Sequence, residues 1–504
     1  MNLLKKLLFY RVVLIGFALF AQLAVLIGVI IQFNDYFVFF YWANIIISML
    51  VVLWIINNNI NPDYKIAWII LILVFPIFGG LFYIFFGRGN TSWRKMQDIT
   101  VRSMEALQPT PIILEELALQ NETAANQSRY LQNYAYSPVY KNTFTEYLPI
   151  GEITFERLQE ELKKAERYIF LEYFIIEEGV MWNSILEILV EKARQGLDVR
   201  VIYDDVGCLL TLPYRYHQYL EKLGIKCCVF NPLTPVLSLG HNNRDHRKIA
   251  VIDGYTGFTG GINLADEYIN VYEKYGHWKD SAIMLKGEAV WSFTVMFLTM
   301  WGHLRGVEED FNQFKPNPPL ADQREAEGYV QPFADNPLDH EPVGEIVYLN
   351  MINKARKYVY ICTPYLIVDS QMITALTSAA KGGVDVRIIT PYIGDKWFVQ
   401  AVSRSYYKNL IHNGVKIYEY LPGFIHSKTY ISDDCYGIVG TINMDYRSLY
   451  MHFECGVWLY NNSIMKIKED FLTTLEICKP AKPADMKWYE SWAGSILRIF
   501  APLM

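Results

Sequence analysis

The chain has 504 residues, 52% apolar and 15% aromatic, with 46 Lys+Arg against 52 Asp+Glu for a formal net charge of −6. That excludes an intrinsically disordered protein, which needs few aromatics and high net charge. Seven cysteines in so long a chain exclude a disulfide scaffold.

The mean hydropathy of +0.11 is high for a purely soluble enzyme, and the excess sits at the front. Residues 12–31 hold one strongly polar side chain, Gln22, and 37–56 and 66–86 are two further apolar stretches. Each is long enough to cross a hydrocarbon core of about 30 Å as a helix. Three in succession predict a membrane anchor of two to three hydrophobic helices over 1–90. A cleaved leader fits poorly, because the first stretch lacks a small-residue cleavage site. Lys5, Lys6 and Arg11 precede the first stretch, and Arg88, Arg94, Lys95 and Arg102 follow the third. The positive-inside rule wants both ends in the cytoplasm, which three full crossings forbid. Pro76, Gly79 and Gly80 resolve the conflict if they make the third stretch bent or re-entrant.

Five of the Lys+Arg and two of the Asp+Glu lie in residues 1–88, leaving 41 against 50 in the remainder, a net −9. So acidic a body is not built to gather nucleic acid, and an anionic substrate must be held by a few local cations. The cysteines (208, 227, 228, 362, 435, 455 and 478) form no CxxC pair and no ligand pattern, which suggests reduced thiols on the cytoplasmic side.

After a linker over 91–141, short β-branched runs alternate with amphipathic stretches from 142 onward, which reads as α/β layering. The chain then repeats itself. Ala165–Leu171 resembles Ala355–Ile361, Leu197–Ile202 matches Val384–Ile389, and Leu223–Lys226 matches Asn413–Lys416, in the same order. Glycine in the last pair suits a helix C-terminus before a strand. The predicted fold is therefore two similar α/β halves, 142–312 and 343–480, each a mixed sheet flanked by helices, packed about a pseudo-twofold axis. A Pro-rich linker over 313–342 joins them. A final helix over 481–504 either lies in a membrane interface or packs on the body.

Each half ends with one constellation: His246, Lys248, Asp253, Gly260 and Asn263 in the first, His426, Lys428, Asp433, Gly440 and Asn443 in the second. The offsets from His are identical. A two-residue step on a strand puts His and Lys on one face. Lys and Asn supply donors to the non-bridging oxygens of a phosphodiester as its charge reorganises. A histidine can attack phosphorus when neutral or release an alkoxide when protonated, and two copies supply both roles. A covalent phosphohistidine would split one displacement into two. Asp253 and Asp433 complete the candidate catalytic set, although their strand-end position favours a structural carboxylate. Asp280, 34 residues after His246, and Glu454, 28 after His426, are candidates to orient the histidines. The chemistry requires no metal, and no cofactor is expected.

The doubled HxKxxxxD pattern with its trailing GxxN resembles the phospholipase D superfamily. Within it, Ala67–Arg88, Asn243–Lys248, Gly260–Tyr268, Gly440–Ser448 and the tail Ser495–Met504 are similar to bacterial cardiolipin synthases over nearly the whole chain. The resemblance implies a multi-pass protein of a bacterial cell membrane with its catalytic region on the cytoplasmic side. It implies phosphatidylglycerol as both donor and acceptor, with cardiolipin and glycerol as products and the bilayer as partner. It assigns His246 as nucleophile and His426 as general acid and then base, and the symmetry leaves the reverse open. Asp245, Lys279 and His452 depart from the family's more common Asn, Arg and Asn, and Lys for Arg loses a bidentate fork. The alternatives are a hydrolytic phospholipase D or transfer to another alcohol. An acidic body with an anchor argues against a nuclease, and motifs intact in both halves argue against a non-enzymatic membrane scaffold.

Overall fold

The computed structural model describes residues 37–58, 61–75, 79–86, 103–233, 243–316, 326–339, 341–482 and 488–499, with a few isolated positions. The first apolar stretch, Pro76, the cations Arg88, Arg94, Lys95 and Arg102, and the last residues of the tail lie outside the described residues.

The second apolar stretch forms α1 (Phe37–Asn57). The third is not one helix: it divides into α2 (Pro62–Val74) and α3 (Gly79–Phe86). Gly79 and Gly80 let the segments meet, because a Cβ would lie 2.5 Å from Ile72 Cα at the first and 2.8 Å from Ser48 Cα at the second. Val51, Ile55, Trp68, Ile72 and Tyr83 fill the small core among the three helices. Phe39, Trp42, Ile46, Met49, Leu50 and Leu53 of α1 remain exposed. Among the described residues no helix is long and apolar enough to cross a membrane, although the backbone of α1 runs for 21 residues.

The expected linker over 91–141 instead holds α4 (Pro111–Gln120) and α5 (Glu122–Tyr134). Both pack into the second half's core through Leu114, Leu117, Ala124, Ala125 and Leu131. Polar composition concealed α5: its buried face is Ala124, Ala125, Gln127, Ser128 and Leu131, and Gln127 accepts from Trp458 Nε1 at 3.0 Å.

The first half contributes β1 (Thr143–Leu148), β2 (Tyr168–Tyr173), β3 (Asp198–Asp204), β4 (Lys226–Phe230), β5 (Arg244–Asp245), β6 (Lys248–Ile252), β7 (Thr256–Gly260), β8 (His277–Lys279) and β9 (Ala282–Gly287). Seven of them form a mixed sheet in the order β1-β9-β7-β6-β2-β3-β4, parallel only across β2, β3 and β4. The second half contributes β10 (Tyr329–Asp335), β11 (Tyr358–Cys362), β12 (Leu366–Ile367), β13 (Asp385–Pro391), β14 (Lys416–Tyr420), β15 (Gly423–Ile425), β16 (Thr429–Ser432), β17 (Tyr436–Gly440), β18 (Met444–Asp445), β19 (His452–Tyr460) and β20 (Cys478–Pro480). Its sheet runs β10-β19-β17-β16-β11-β13-β14-β20, so seven positions repeat the first sheet's order. Strand β10 lies within the expected linker over 313–342, which is therefore partly the edge of the second sheet.

Central strands such as β2 are buried on both faces and accordingly read as continuous apolar runs. Gly224 and Gly414 close the repeated helices at φ +87° and +95°, where a side chain would be strained. One core cluster draws on both halves, with Phe170, Phe293 and Phe297 meeting Tyr360, Ile431, Val457 and Phe471. The halves thus bury a common interior. The C-terminal helix α7 (Trp488–Ile499) packs on α6 (Trp397–His412), with a Cβ at Gly494 falling 2.5 Å from Ala401 O and the Arg498 guanidinium 4.1 Å over the Tyr406 ring. Ile496 and Ile499 stay exposed on it.

Candidate active site

Strand pairing between the halves builds the site. β5 lies parallel to β19, pairing Arg244 with His452 and Asp245 with Phe453. β15 lies parallel to β8, pairing Phe424 with Trp278 and Ile425 with Lys279. Each pairing carries one residue further: His246 N donates to Phe453 O at 2.9 Å, and His426 N donates to Lys279 O at 2.7 Å. The next side chain on each partner strand is the carboxylate.

The histidine–carboxylate pairs are therefore crossed. His246 Nδ1 lies 2.9 and 3.0 Å from the two Glu454 oxygens, and His426 Nδ1 lies 2.7 Å from Asp280 Oδ2. Each histidine takes its carboxylate from the other half. In each case the Nδ1 contact leaves Nε2 as the nitrogen for chemistry. Both carboxylates are wholly buried. The Thr441 hydroxyl donates to Glu454 Oε2, and Ser281 N donates to Asp280 Oδ1 at 2.8 Å. Position 261, the counterpart of Thr441, must be Gly: a Cβ there would fall 2.1 Å from Asp280 Oδ1.

Lys248 and Lys428 are almost fully buried, and each ammonium donates to the carbonyl of its own motif's histidine. Burial pushes Lys248 down to about 8 and Lys428 down to about 7. Burial, then Lys248 and Lys428, hold His246 well below the ordinary imidazole range. Burial and Lys428 lower His426 to about 4 against the opposing pull of Asp280. Burial raises Glu454. Without substrate, both imidazoles are thus neutral at pH 7, the form that can attack phosphorus.

Asn263 accepts from Ile175 N at 3.0 Å and donates to Tyr268 Oη at 2.7 Å, and the Tyr268 ring lies 5.7 Å from His426. Asn443 is buried, with its Oδ1 unpartnered among the described residues. Trp278 and Phe424 stand 5.3 and 5.7 Å from His426, so aromatic rings frame this histidine. His246 instead faces Phe174 at 5.0 Å and His452 at 5.6 Å.

Asp253 and Asp433 do not join the site. Asp253 accepts from the backbone N–H groups of Glu166, Arg167 and Tyr168, and Asp433 from those of Arg356, Lys357 and Tyr358, all within 2.7–3.0 Å. Both sit at φ +53° and clamp the start of the neighbouring strand. Lys279 is also engaged elsewhere, bonded to Asp470 at 2.7 and 2.9 Å and to Pro149 O. Asp245 pairs with Arg247 Nε at 3.1 Å. Sequence reading missed Thr441, Tyr268, Trp278 and Phe424. The Gly261/Thr441 mismatch between the two GxIN segments was a signal for Thr441.

Two half-sheets, each delivering a His-Lys pair to a junction where the other half supplies the carboxylate, define a double phospholipase D-type phosphoryl-transfer fold. The family model described as cardiolipin synthase, PLD-like domain, matches residues 158–301 and 348–475. A second model, the phospholipase D-nuclease N-terminal segment, matches 46–88. A cardiolipin synthase of Geobacillus kaustophilus is 37% identical over 463 residues, covering 89% of this chain and 90% of its own. A Streptococcus mutans protein with no described activity is 46% identical over 461 residues, covering 90% and 99%. The solved phosphatidylserine synthase of Haemophilus influenzae shares the fold, with a TM-score of 0.56 at 15% identity over 75% of this chain and 97% of its own. This chain belongs to the PLD-like cardiolipin synthase family.

Proposed function

We propose that this protein transfers a phosphatidyl group from one phosphatidylglycerol to another, giving cardiolipin and glycerol. The observation that carries the reading is the pair of crossed histidine–carboxylate contacts between two buried lysines, in a chain of this family. Nε2 of neutral His246 attacks phosphorus, and the bond from phosphorus to the headgroup glycerol oxygen breaks. Protonated His426 gives its proton to that oxygen, and glycerol leaves. The bound phosphodiester's negative charge raises the proton affinity of His426 for this step. The glycerol hydroxyl of a second phosphatidylglycerol then loses its proton to His426 as its oxygen takes the phosphatidyl group from His246. Lys248, Lys428, Asn263 and Asn443 hold the non-bridging oxygens, so charge is balanced by fixed donors. Glu454 and Asp280 keep Nδ1 protonated and Nε2 directed at the substrate.

The anchor holds the site at the bilayer, where both lipids reach high effective concentration. The exposed apolar side chains of α1 and the N-terminal family match support multiple membrane-embedded helices. Seven free thiols suit a catalytic body on the cytoplasmic side. The start of α2 ties anchor to body, since its N-cap Asn61 donates to Asp369 and Tyr450 at 2.9 Å and the Tyr446 hydroxyl donates to Asp63 at 2.6 Å. The test is rapid quench in alkaline detergent with phosphatidylglycerol radiolabelled at its phosphorus. Label should remain on His246 in a base-stable, acid-labile bond, and a His246→Ala chain that still carries the label would overturn the assignment.

A further inference from the structure

His452 has no part in the transfer as described, yet it is buried beside it. Its side chain is 9% exposed, and neither ring nitrogen has a hydrogen-bond partner among the described residues. Its Nδ1 lies 3.8 Å from Glu454 Oε1, and its ring centroid lies 5.6 Å from that of His246. One donor atom from each of His246, His452 and Glu454 lies within 4.8 Å of the others. Two imidazoles and one carboxylate form the ligand set of an open zinc site, with the fourth position left to water. Spacing along the chain could not show this, because His246 stands 206 residues before His452.

We propose that His246, His452 and Glu454 form an inhibitory site for a divalent transition ion of the zinc class. Donor atoms around such an ion stand about 3.3 Å apart, so side-chain shifts of about an ångström close the set. Magnesium and calcium do not fit, since they take six or more oxygen ligands. Lys248 and Lys428 oppose a dication in the same cavity, so the affinity is on the order of micromolar rather than that of a structural zinc site.

Occupancy blocks the nucleophile through its tautomer. In the resting site the Nδ1 proton of His246 points at Glu454, and Nε2 carries the lone pair. A metal ion takes the Nδ1 lone pair, the Nδ1 proton leaves to solvent, and Nε2 gains one proton from solvent. The nitrogen that must attack phosphorus then has no lone pair. Among the described residues the other half has no such site, because Trp278 stands where His452 does and pairs with Phe424 in the equivalent strand register. One ion binds per chain.

The inhibitory arm rests on the proposed transfer reaction; the binding arm does not. The full-length chain in detergent, stripped with EDTA, is titrated with Co2+ and then Zn2+. One Co2+ per chain should give a tetrahedral visible spectrum, displaced by Zn2+. Saturating Zn2+ should lower cardiolipin formation at least tenfold, and EDTA should restore it. His452→Asn should transfer normally in EDTA, bind Co2+ at least tenfold more weakly and resist Zn2+; His452→Gln serves if the first variant fails to fold. Wild-type protein that binds no Co2+, or variants that bind it as tightly, would overturn the site. If neither protein makes cardiolipin in EDTA, the transfer reading fails while the Co2+ titration still decides the metal site.

Discussion

Replacing Glu454 with Gln separates the crossed arrangement from a pairing within each half. The amide can still accept from His246 Nδ1, and the Thr441 hydroxyl, bonded to Oε2 and within 3.1 Å of Cys455 O, can turn to accept the new N–H. Packing is therefore kept and only the charge is lost. A unit charge about 4 Å from the imidazolium is worth about 4 kcal/mol at an effective dielectric of 20. The neutral hydrogen bond that Gln retains offsets about 1 kcal/mol of this. The remainder corresponds to a fall of about 10²–10³-fold in the step that puts positive charge on His246. The assay is burst kinetics with a phosphatidyl ester of p-nitrophenol, a leaving group that needs no proton. Glu454→Gln should lose the burst with His246→Ala. Asp280→Asn should keep the burst and lose turnover, because it weakens His426 alone. A burst lost in His246→Ala and Asp280→Asn but kept in Glu454→Gln would refute the crossed assignment.

Gly261→Ala should lower kcat by about tenfold or more in a folded protein, since its Cβ meets Asp280 Oδ1 at 2.1 Å and His426 O at 2.8 Å. Asp253→Asn should cost about 2 kcal/mol in denaturant unfolding, because an amide cannot accept all three backbone N–H groups. Activity per folded molecule should be unchanged, and a kinetic defect without a stability loss would count against a structural role. His426 and His452 are both held at about 4, below the unfolded value of about 6.5, so between those values the unfolded chain binds more protons and stability falls as pH drops. At pH 5 each costs about 2 kcal/mol relative to neutral pH. His452→Asn should narrow the pH 7 to pH 5 difference in unfolding free energy by about that amount, and an unchanged difference would contradict the burial argument.

The doubled motif was legible because identical offsets from His246 and His426 survive in a repeated chain, with Lys248 opening β6 and Lys428 directly preceding β16. The carboxylates were visible as candidates, but their assignment was not. Counted along the chain they follow the histidine of their own half, whereas β5–β19 and β8–β15 pairing joins residues 208 and 146 positions apart. Asp253 and Asp433 shared the motif's regularity, and only their backbone partners show that regularity to be architectural. Helix α5 was hidden because small and polar residues, with Leu131 the one large apolar side chain, form its buried face, and β10 because prolines surround it. The third apolar stretch had length enough for one helix, yet Gly79 against Ile72 folds it back on itself.

Phosphatidylglycerol labelled in both its headgroup glycerol and its acyl chains, given to the purified full-length chain in detergent, tests the account most directly. Cardiolipin and free glycerol should form together, and neither should form with His246→Ala or His426→Ala. Phosphatidic acid with glycerol would make water the acceptor and contradict the proposed transfer.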